Sequence, residues 1–137
     1  MYATADDIRA RYGEDVLVQL AGADAWGPVA IAAVNLKLAD ASVLADGYIA
    51  KYYAPAPGAV LPPLLVQLVC KIAYCEMHRV PTEEASRQRA EAMKVLGDIS
   101  RGLVKIDEGR GDLPARDGAV LVEDPGRTFS RDRLGGF

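Results

Sequence analysis

The sequence predicts a mainly α-helical protein: a small bundle of two short and three longer helices, followed by an extended, mostly non-helical C-terminal arm. Apolar residues recur with helical spacing through about the first hundred residues, and glycines and prolines separate these stretches. After residue 103 the helical periodicity ends, and six of the 13 glycines fall in residues 104–137. We therefore expect a helical domain at 1–103 and an arm at 104–137.

Two short helices are predicted at the start of the chain. Thr4 and Asp7 have the spacing of a capping box, in which each side chain bonds a backbone N–H of the first turn. Ile8 and Tyr12 share one face of this helix, which Gly13 ends. A second short apolar run, residues 16–20, ends in a glycine-bounded loop at 22–27 that contains Trp26.

The third and longest helix is predicted from Val29 to about Tyr53, with Pro28 at its first position. At 100° per residue, one arc of about 100° forms the face expected to pack on the core, and its members are Ile31, Val34, Leu38, Ala41, Ala45, Tyr48, Ile49 and Tyr52. Val29, Leu36 and Val43 fall nearly opposite this arc. This second apolar stripe predicts a subunit interface, and the alternative is that the Trp26 loop or the C-terminal arm covers it.

The fourth and fifth predicted helices complete the bundle. The fourth, from Leu64 to about Arg79, is apolar almost all round and should be the central, most buried helix. Pro81 ends it, and Thr82 caps the fifth helix, whose predicted inner face comprises Ala85, Ala92, Val95, Leu96, Ile99 and Leu103. Its outer face has the spacing of two ion pairs, Glu83 with Arg87 and Lys94 with Asp98.

Residues that could perform chemistry are scarce. His78 is the only histidine, and no serine or cysteine is spaced to use it as a base. Cys70 and Cys75 lie five apart on one helix, so their side chains diverge and are expected to be reduced core residues. No zinc motif or phosphate-binding glycine loop is present. We therefore expect neither an enzyme nor a bound metal or cofactor.

Composition and charge restrict the class of protein further. A chain of 137 residues with 50% hydrophobic and 26% charged residues can bury a core as one domain. No apolar stretch is expected to reach the ~18 residues of a spanning helix, and residues 1–7 do not resemble a signal peptide. The protein is thus expected in the cytoplasm or in an assembly built there, with no membrane partner. The net charge of −3 argues against non-specific electrostatic binding to DNA phosphates.

The arm ends in a segment, residues 127–137, whose composition is typical of a segment that binds another protein. Large apolar residues are rare in chains that never bury them, yet this segment alternates them with arginines. We predict a partner-binding site here, in which large apolar side chains anchor the segment and arginines orient it. Its residues are Arg127, Phe129, Arg131, Arg133, Leu134 and Phe137.

Several segments in order carry a resemblance to a known family. They are Tyr-Ala-Thr-Ala-Asp-Asp-Ile at 2–8 with Tyr-Gly-Glu at 12–14, Leu-Ala-Asp-Ala-Ser at 38–42, Tyr-Ile-Ala-Lys-Tyr-Tyr at 48–53, Pro-Pro-Leu-Leu at 62–65, Pro-Thr-Glu-Glu at 81–84 and the closing segment from 127. Together they resemble the Mu-like phage and prophage adaptor family, long catalogued as a domain of unknown function. Residues 107–122 do not align to its pattern.

The resemblance implies a head-to-tail adaptor: a helical protein that forms a homo-oligomeric ring, twelve-fold, beneath the portal of a capsid. Its implied partners are the portal protein and a tail-side connector or stopper protein, and DNA would pass through the channel without specific binding. The implied location is the head-tail junction of a virion assembled in the bacterial cytoplasm.

Two other classes of function stay open. The first is a stand-alone helical interaction module or regulator whose arm recognises a host protein. The second is a DNA-binding helical protein, for which the footprint would be the arm arginines Arg110, Arg116, Arg127, Arg131 and Arg133. Acidic residues interspersed among these arginines make DNA binding the weaker alternative.

Overall fold

The computed structural model describes residues 1–106, and this part of the chain is mainly α-helical as predicted. Its elements, in chain order, are α1 (Ala5–Tyr12), α2 (Glu14–Ala21), α3 (Pro28–Ile49), α4 (Pro63–Met77) and α5 (Glu83–Ser100). Predictions about the arm at residues 107–137 lie outside the described residues.

The short helices α1 and α2 begin and end as the sequence indicates. The Thr4 hydroxyl accepts a hydrogen bond from the Asp7 backbone N–H, and the Asp7 carboxylate accepts one from the Thr4 N–H, which confirms the capping box. Gly13 then separates the two helices with a φ of 88°, a conformation that favours glycine. Ile8 and Leu17 bury the inner faces of these helices in the core.

The long helix α3 ends one turn earlier than predicted. Its last residue is Ile49, not Tyr53, and Tyr52 is 51% exposed rather than part of the core face. The backbone tightens into a turn there, because the Ile49 carbonyl accepts from both the Tyr52 and the Tyr53 N–H groups, and Pro55 prevents the helix from resuming. Tyr53 still packs against the core from the turn that follows.

Helix α4 is the centre of the bundle, as predicted. Both α3 and α5 pack against it, and α3 also contacts α5. Seven of its residues are buried, namely Leu65, Leu68, Val69, Cys70, Ile72, Ala73 and Cys75. The hydrophobic effect of burying this apolar surface therefore stabilises all three long helices together.

Helix α5 begins as predicted but ends sooner than its apolar pattern indicates. The Thr82 hydroxyl accepts a hydrogen bond from the Ala85 N–H, at 3.1 Å. The helix stops at Ser100 and turns at Gly102, whose φ is 75°, so Leu103 is 71% exposed and the prediction that it lies on the inner face is wrong. The chain returns to the core at Ile106, so the core extends beyond residue 103.

The outer face of α5 forms ion pairs different from the predicted ones. Arg87 pairs with Glu84 rather than Glu83, and Asp98 pairs with Arg101 rather than Lys94. Both observed pairs have the (i, i+3) spacing, which helical geometry permits as readily as (i, i+4). Sequence spacing alone therefore could not choose between them.

The middle of the loop between α3 and α4, residues 54–60, is exposed and uncharged. Each of residues 54–60 is exposed, and none carries a polar side chain. Val60 at its end is 94% exposed. Pro55 and Pro57 restrict the backbone of this loop.

Helix α3 is long and apolar enough, by length and composition, to cross a membrane. The sequence-based expectation that no stretch is long enough is therefore too strict for this helix. Its inner face is covered by other helices, including α4 and α5, as in the core helix of a globular protein. Core helices pass the same test, so the finding is weak support for a membrane span.

Candidate functional site

The outer face of α3 carries three large apolar side chains that remain exposed. Val29 is 70% exposed, Leu36 is 61% exposed and Val43 is 71% exposed. They are spaced by seven residues, so they follow one line along the helix for about 21 Å. No residue of the described chain, the Trp26 loop included, buries this line, because Trp26 packs against the core instead.

Small residues complete this outer surface. Apart from Asp40 and Asp46, every exposed residue of α3 is apolar or a glycine, and these are Pro28, Val29, Ala32, Leu36, Ala39, Val43 and Gly47. We call this set, with the two aspartates at its edges, the α3 face. The side chains at 32 and 39 lie three residues after Val29 and Leu36, the a-to-d spacing of a helix that packs against another protein segment. Sequence analysis missed these small members, although the repeated spacing could have revealed them.

The α3 face is held in place from its buried side. Val34, Leu38, Ala41, Ala45 and Ile49 are fully buried against the core. Such close packing fixes the orientation of the helix. The exposed stripe is therefore presented by a rigid element, which loses little conformational entropy of its own when it binds a partner.

The N-terminal residues form a strap across the end of α3 that sequence analysis did not identify. The Tyr2 N–H donates to the Ser42 hydroxyl at 3.0 Å, and the Ser42 hydroxyl donates to the Leu38 carbonyl at 2.7 Å. The Tyr2 hydroxyl donates to the Asp46 carboxylate. Burial, and secondarily Asp46, raises the pKa of Tyr2.

The two aspartates of the α3 face therefore differ. Asp46 already accepts a hydrogen bond from Tyr2, whereas Asp40 forms no ion pair with any residue of the described part of the chain. Asp40 lies between Leu36 and Val43 on the helix surface. It is the carboxylate of this face that is available to a basic partner.

His78 lies at the end of α4 in a stack of aromatic rings. Its Nδ1 atom lies 2.8 Å from the Tyr74 carbonyl oxygen, and its ring packs edge-on against Tyr74 at 4.7 Å. Tyr74 in turn stacks on Tyr12 at 3.8 Å. These contacts fix the orientation of the His78 ring, so packing accounts for the histidine at this position.

Next to these rings, an open cleft between α1, α4 and α5 is lined by charges of both signs. Lys71 lies 3.7 Å from Glu91, and Arg87 is paired with Glu84. Acidic neighbours thus offset the basic groups, so the cleft is not a concentrated anion site. Burial raises the pKa of Tyr12 at its edge to about 12.

The cysteines are free and buried, as predicted. Burial raises the pKa of the Cys70 thiol to about 11, and it also raises the pKa of Cys75. Since the thiolate is the reactive form of cysteine, both side chains should react slowly near neutral pH. Within residues 1–106 there is also no cluster of three histidine, cysteine or acidic side chains that could hold a metal ion.

The structure places the predicted subunit-interface residues, Val29, Leu36 and Val43, together on one exposed face. The predicted partner-binding residues, at positions 127, 129, 131, 133, 134 and 137, lie outside the described residues. The described site is therefore an exposed apolar helix face on a small helical bundle.

Comparison with known families identifies the family of this chain. The sequence model of the family described as bacteriophage Mu, Gp36 matches residues 2–123, which is most of the chain. The protein is thus a Mu-like phage protein, and it belongs to the bacteriophage Mu Gp36 family. Membership indicates a phage structural or assembly protein. No curated protein matches the sequence.

Proposed function

We propose that this protein is a head-to-tail adaptor, which forms a ring beneath the portal and joins the DNA-filled capsid to the tail. The observation that carries this proposal is the exposed α3 face on a chain of the Gp36 family. An apolar face of this kind on a phage assembly protein is the surface expected of a subunit that is completed by its neighbours.

A closed ring needs a heterologous interface, in which one face of each copy meets a different face of the next. The α3 face supplies one of the two surfaces, and the C-terminal arm supplies a second contact with protein. In this proposal the copies form a dodecameric ring, which binds the portal protein on one side and a tail-side connector or stopper protein on the other.

The charge of the chain is compatible with a channel for DNA. The net charge is −3. A weakly acidic wall repels phosphates slightly, so DNA can slide without being gripped. The protein would then act at the head-tail junction without catalysis, a cofactor or a membrane, and His78→Ala should leave adaptor activity unchanged.

The proposal is tested with Leu36→Asp, which places a charge in the centre of the α3 face. The variant should remain a folded helical monomer but fail to form rings on purified portal protein, as seen by negative-stain electron microscopy. A charge buried without a partner at a subunit contact costs several kcal/mol. Gln67→Asp is the matched control, because Gln67 is exposed on α4 and lines the cleft formed with α1 and α5, not the α3 face.

Three outcomes would count against the proposal. Loss of helical circular dichroism in the free Leu36→Asp variant would place the stripe in the core of the monomer. Normal rings of Leu36→Asp on the portal would show that the α3 face is not a subunit contact. A wild-type protein that never associates with portal protein would exclude the adaptor function itself.

A further inference from the structure

We infer that the C-terminal segment at residues 127–137 of one copy docks on the α3 face of the next copy. This inference rests on the proposed ring and identifies the occupant of the exposed stripe. It connects two surfaces that belong to the same chain, so every copy both provides a segment and receives one.

Apart from α3 itself, whose pairing with a second α3 face would give a two-fold dimer and not a ring, the described helices of a second copy offer no matching apolar face. The exposed positions of α1 are Asp6, Ala10 and Arg11, and those of α2 are Glu14, Asp15, Val16 and Gln19. On α5 the exposed positions are dominated by charge, and α4 exposes only Pro63 and Gln67. Any of these four helices from a neighbour would therefore place polar groups on the stripe, at a cost in desolvation.

The C-terminal segment has the apolar residues that these helices lack. Phe129, Leu134 and Phe137 fall within nine residues, so in an extended chain they span about 26 Å. The stripe of Val29, Leu36 and Val43 spans about 21 Å. Three large apolar side chains therefore face three others over a similar length, and the small residues at 32 and 39 leave notches between them.

The charges of the two surfaces are complementary. The side chains at 127–137 include three arginines and one aspartate. On α3, the two charged residues that are exposed are both aspartates, Asp40 and Asp46. Asp40 has no ion-pair partner within residues 1–106. Arginine pairs with a carboxylate through two parallel hydrogen bonds, so Asp40 gives the segment an orientation as well as attraction.

The connecting chain is long enough to reach a neighbour. The last described residue, Ile106, is packed in the core, and the 20 residues at 107–126 lie between it and Arg127. A chain of that length extends up to about 70 Å, about twice the 33 Å length of α3. Each copy then contacts the next one in a single direction, which is the heterologous arrangement that closes into a ring.

Cysteine cross-linking in the full-length protein distinguishes the possible occupants. Ala39→Cys places a thiol on the α3 face, and Ser130→Cys places one beside Phe129 while leaving the anchors intact. The native cysteines are both buried, so the introduced thiols should react first. A mixture of the two single variants, oxidised in the presence of portal protein, should give a disulfide-linked dimer, and the double variant should give a ladder of larger species.

Three results would overturn the inference. Cross-linking of the double variant at monomer mobility, with none in the mixture, would mean that the segment docks on its own chain. Cross-linking of Ala39→Cys alone would mean that two α3 faces pair with each other. Cross-linking with Gln67→Cys as efficient as with Ala39→Cys would mean that the contact is non-specific.

A charge substitution gives an independent measurement. Asp40→Lys should raise the concentration needed for ring assembly by about tenfold or more, and assembly should fall in high salt for the wild type. An unchanged assembly concentration would overturn the charge argument.

The inference and the proposed function can fail separately. Rings that form on the portal without the predicted cross-link would reject this inference and leave the adaptor function standing. A chain that neither assembles nor cross-links would reject both.

Discussion

The two faces of α3 have similar apolar side chains and opposite exposure. Leu38 is fully buried on the inner face, while Leu36, two residues earlier, is 61% exposed on the outer face. The inner face is covered by α4 and α5, and within the described chain nothing covers the outer face. The hydrophobic free energy of the outer face is therefore still available for association, whereas that of the inner face already stabilises the monomer.

The largest expected effect is the difference between the same substitution on the two faces. Leu38→Ala should lower the free energy of unfolding by about 2–5 kcal/mol, because it opens a cavity in a close-packed interior. Leu36→Ala should change it by less than about 0.5 kcal/mol. Urea unfolding of the free monomer, followed by circular dichroism, measures both values. Equal losses would mean that the two faces are buried alike in solution.

A smaller effect is expected at the polar residue of the inner face. Ser42→Ala leaves the buried Tyr2 N–H without its acceptor, which should cost about 1–3 kcal/mol. Ser86→Ala is the control, since Ser86 is exposed on α5 and should be nearly neutral. If urea unfolding shows Ser42→Ala to be as neutral as the control, the N-terminal strap does not hold the buried side of α3.

The strap also predicts a dependence on pH. Tyr2→Phe removes the hydrogen bond to Asp46 and should cost about 0.5–1.5 kcal/mol at neutral pH. Because the pKa of Tyr2 is raised by folding, its contribution is complete below the ordinary tyrosine pKa of about 10 and is lost as the pH rises beyond that value.

Wild-type stability should therefore fall above about pH 10, and the fall should be smaller in Tyr2→Phe. Part of the fall in stability should persist in Tyr2→Phe, because the pKa of Tyr12 is also raised, to about 12. Unfolding free energies at pH 8 and pH 10.5 test this difference. Identical pH profiles for the two proteins would contradict the role given to Tyr2.

The smallest effects are expected at the ends of the outer stripe. Val29→Ser and Val43→Ser should each alter monomer stability by no more than about 0.5 kcal/mol, because both side chains are already largely in water. Thermal unfolding of the free protein measures this. A loss of 2 kcal/mol in either variant would show that the free chain covers its own stripe, and the contrast between the faces would then vanish.

Local rules in the sequence predicted the order and the beginnings of the helices. Thr4 and Thr82 cap helices because their hydroxyls satisfy free N–H groups nearby, so the signal lies within four residues. The ends of α3 and α5 were predicted too late, because apolar spacing continues through Tyr52 and Leu103 although the backbone has already turned. Periodicity does not show where a helix loses its packing partners.

The candidate site was predicted in part. The seven-residue spacing of Val29, Leu36 and Val43 indicated a second apolar face, but its exposure depends on where α4 and α5 pack. The strap from Tyr2 to Ser42 and Asp46 joins residues 40 and 44 positions apart. No local pattern encodes such contacts, since they form only once the chain has folded.

The loop between α3 and α4 has a consequence for proteolysis. Exposed loop tips are where proteases usually cut a folded protein, but trypsin requires lysine or arginine, and none lies between Lys51 and Lys71. The exposed Lys51, two residues after the end of α3, is therefore the tryptic site in this loop, and cleavage there would separate α3 from α4 while leaving residues 52–70 intact. A protease that cuts beside aromatic or aliphatic residues has Tyr52 and Val60 available at the two sides of the same loop.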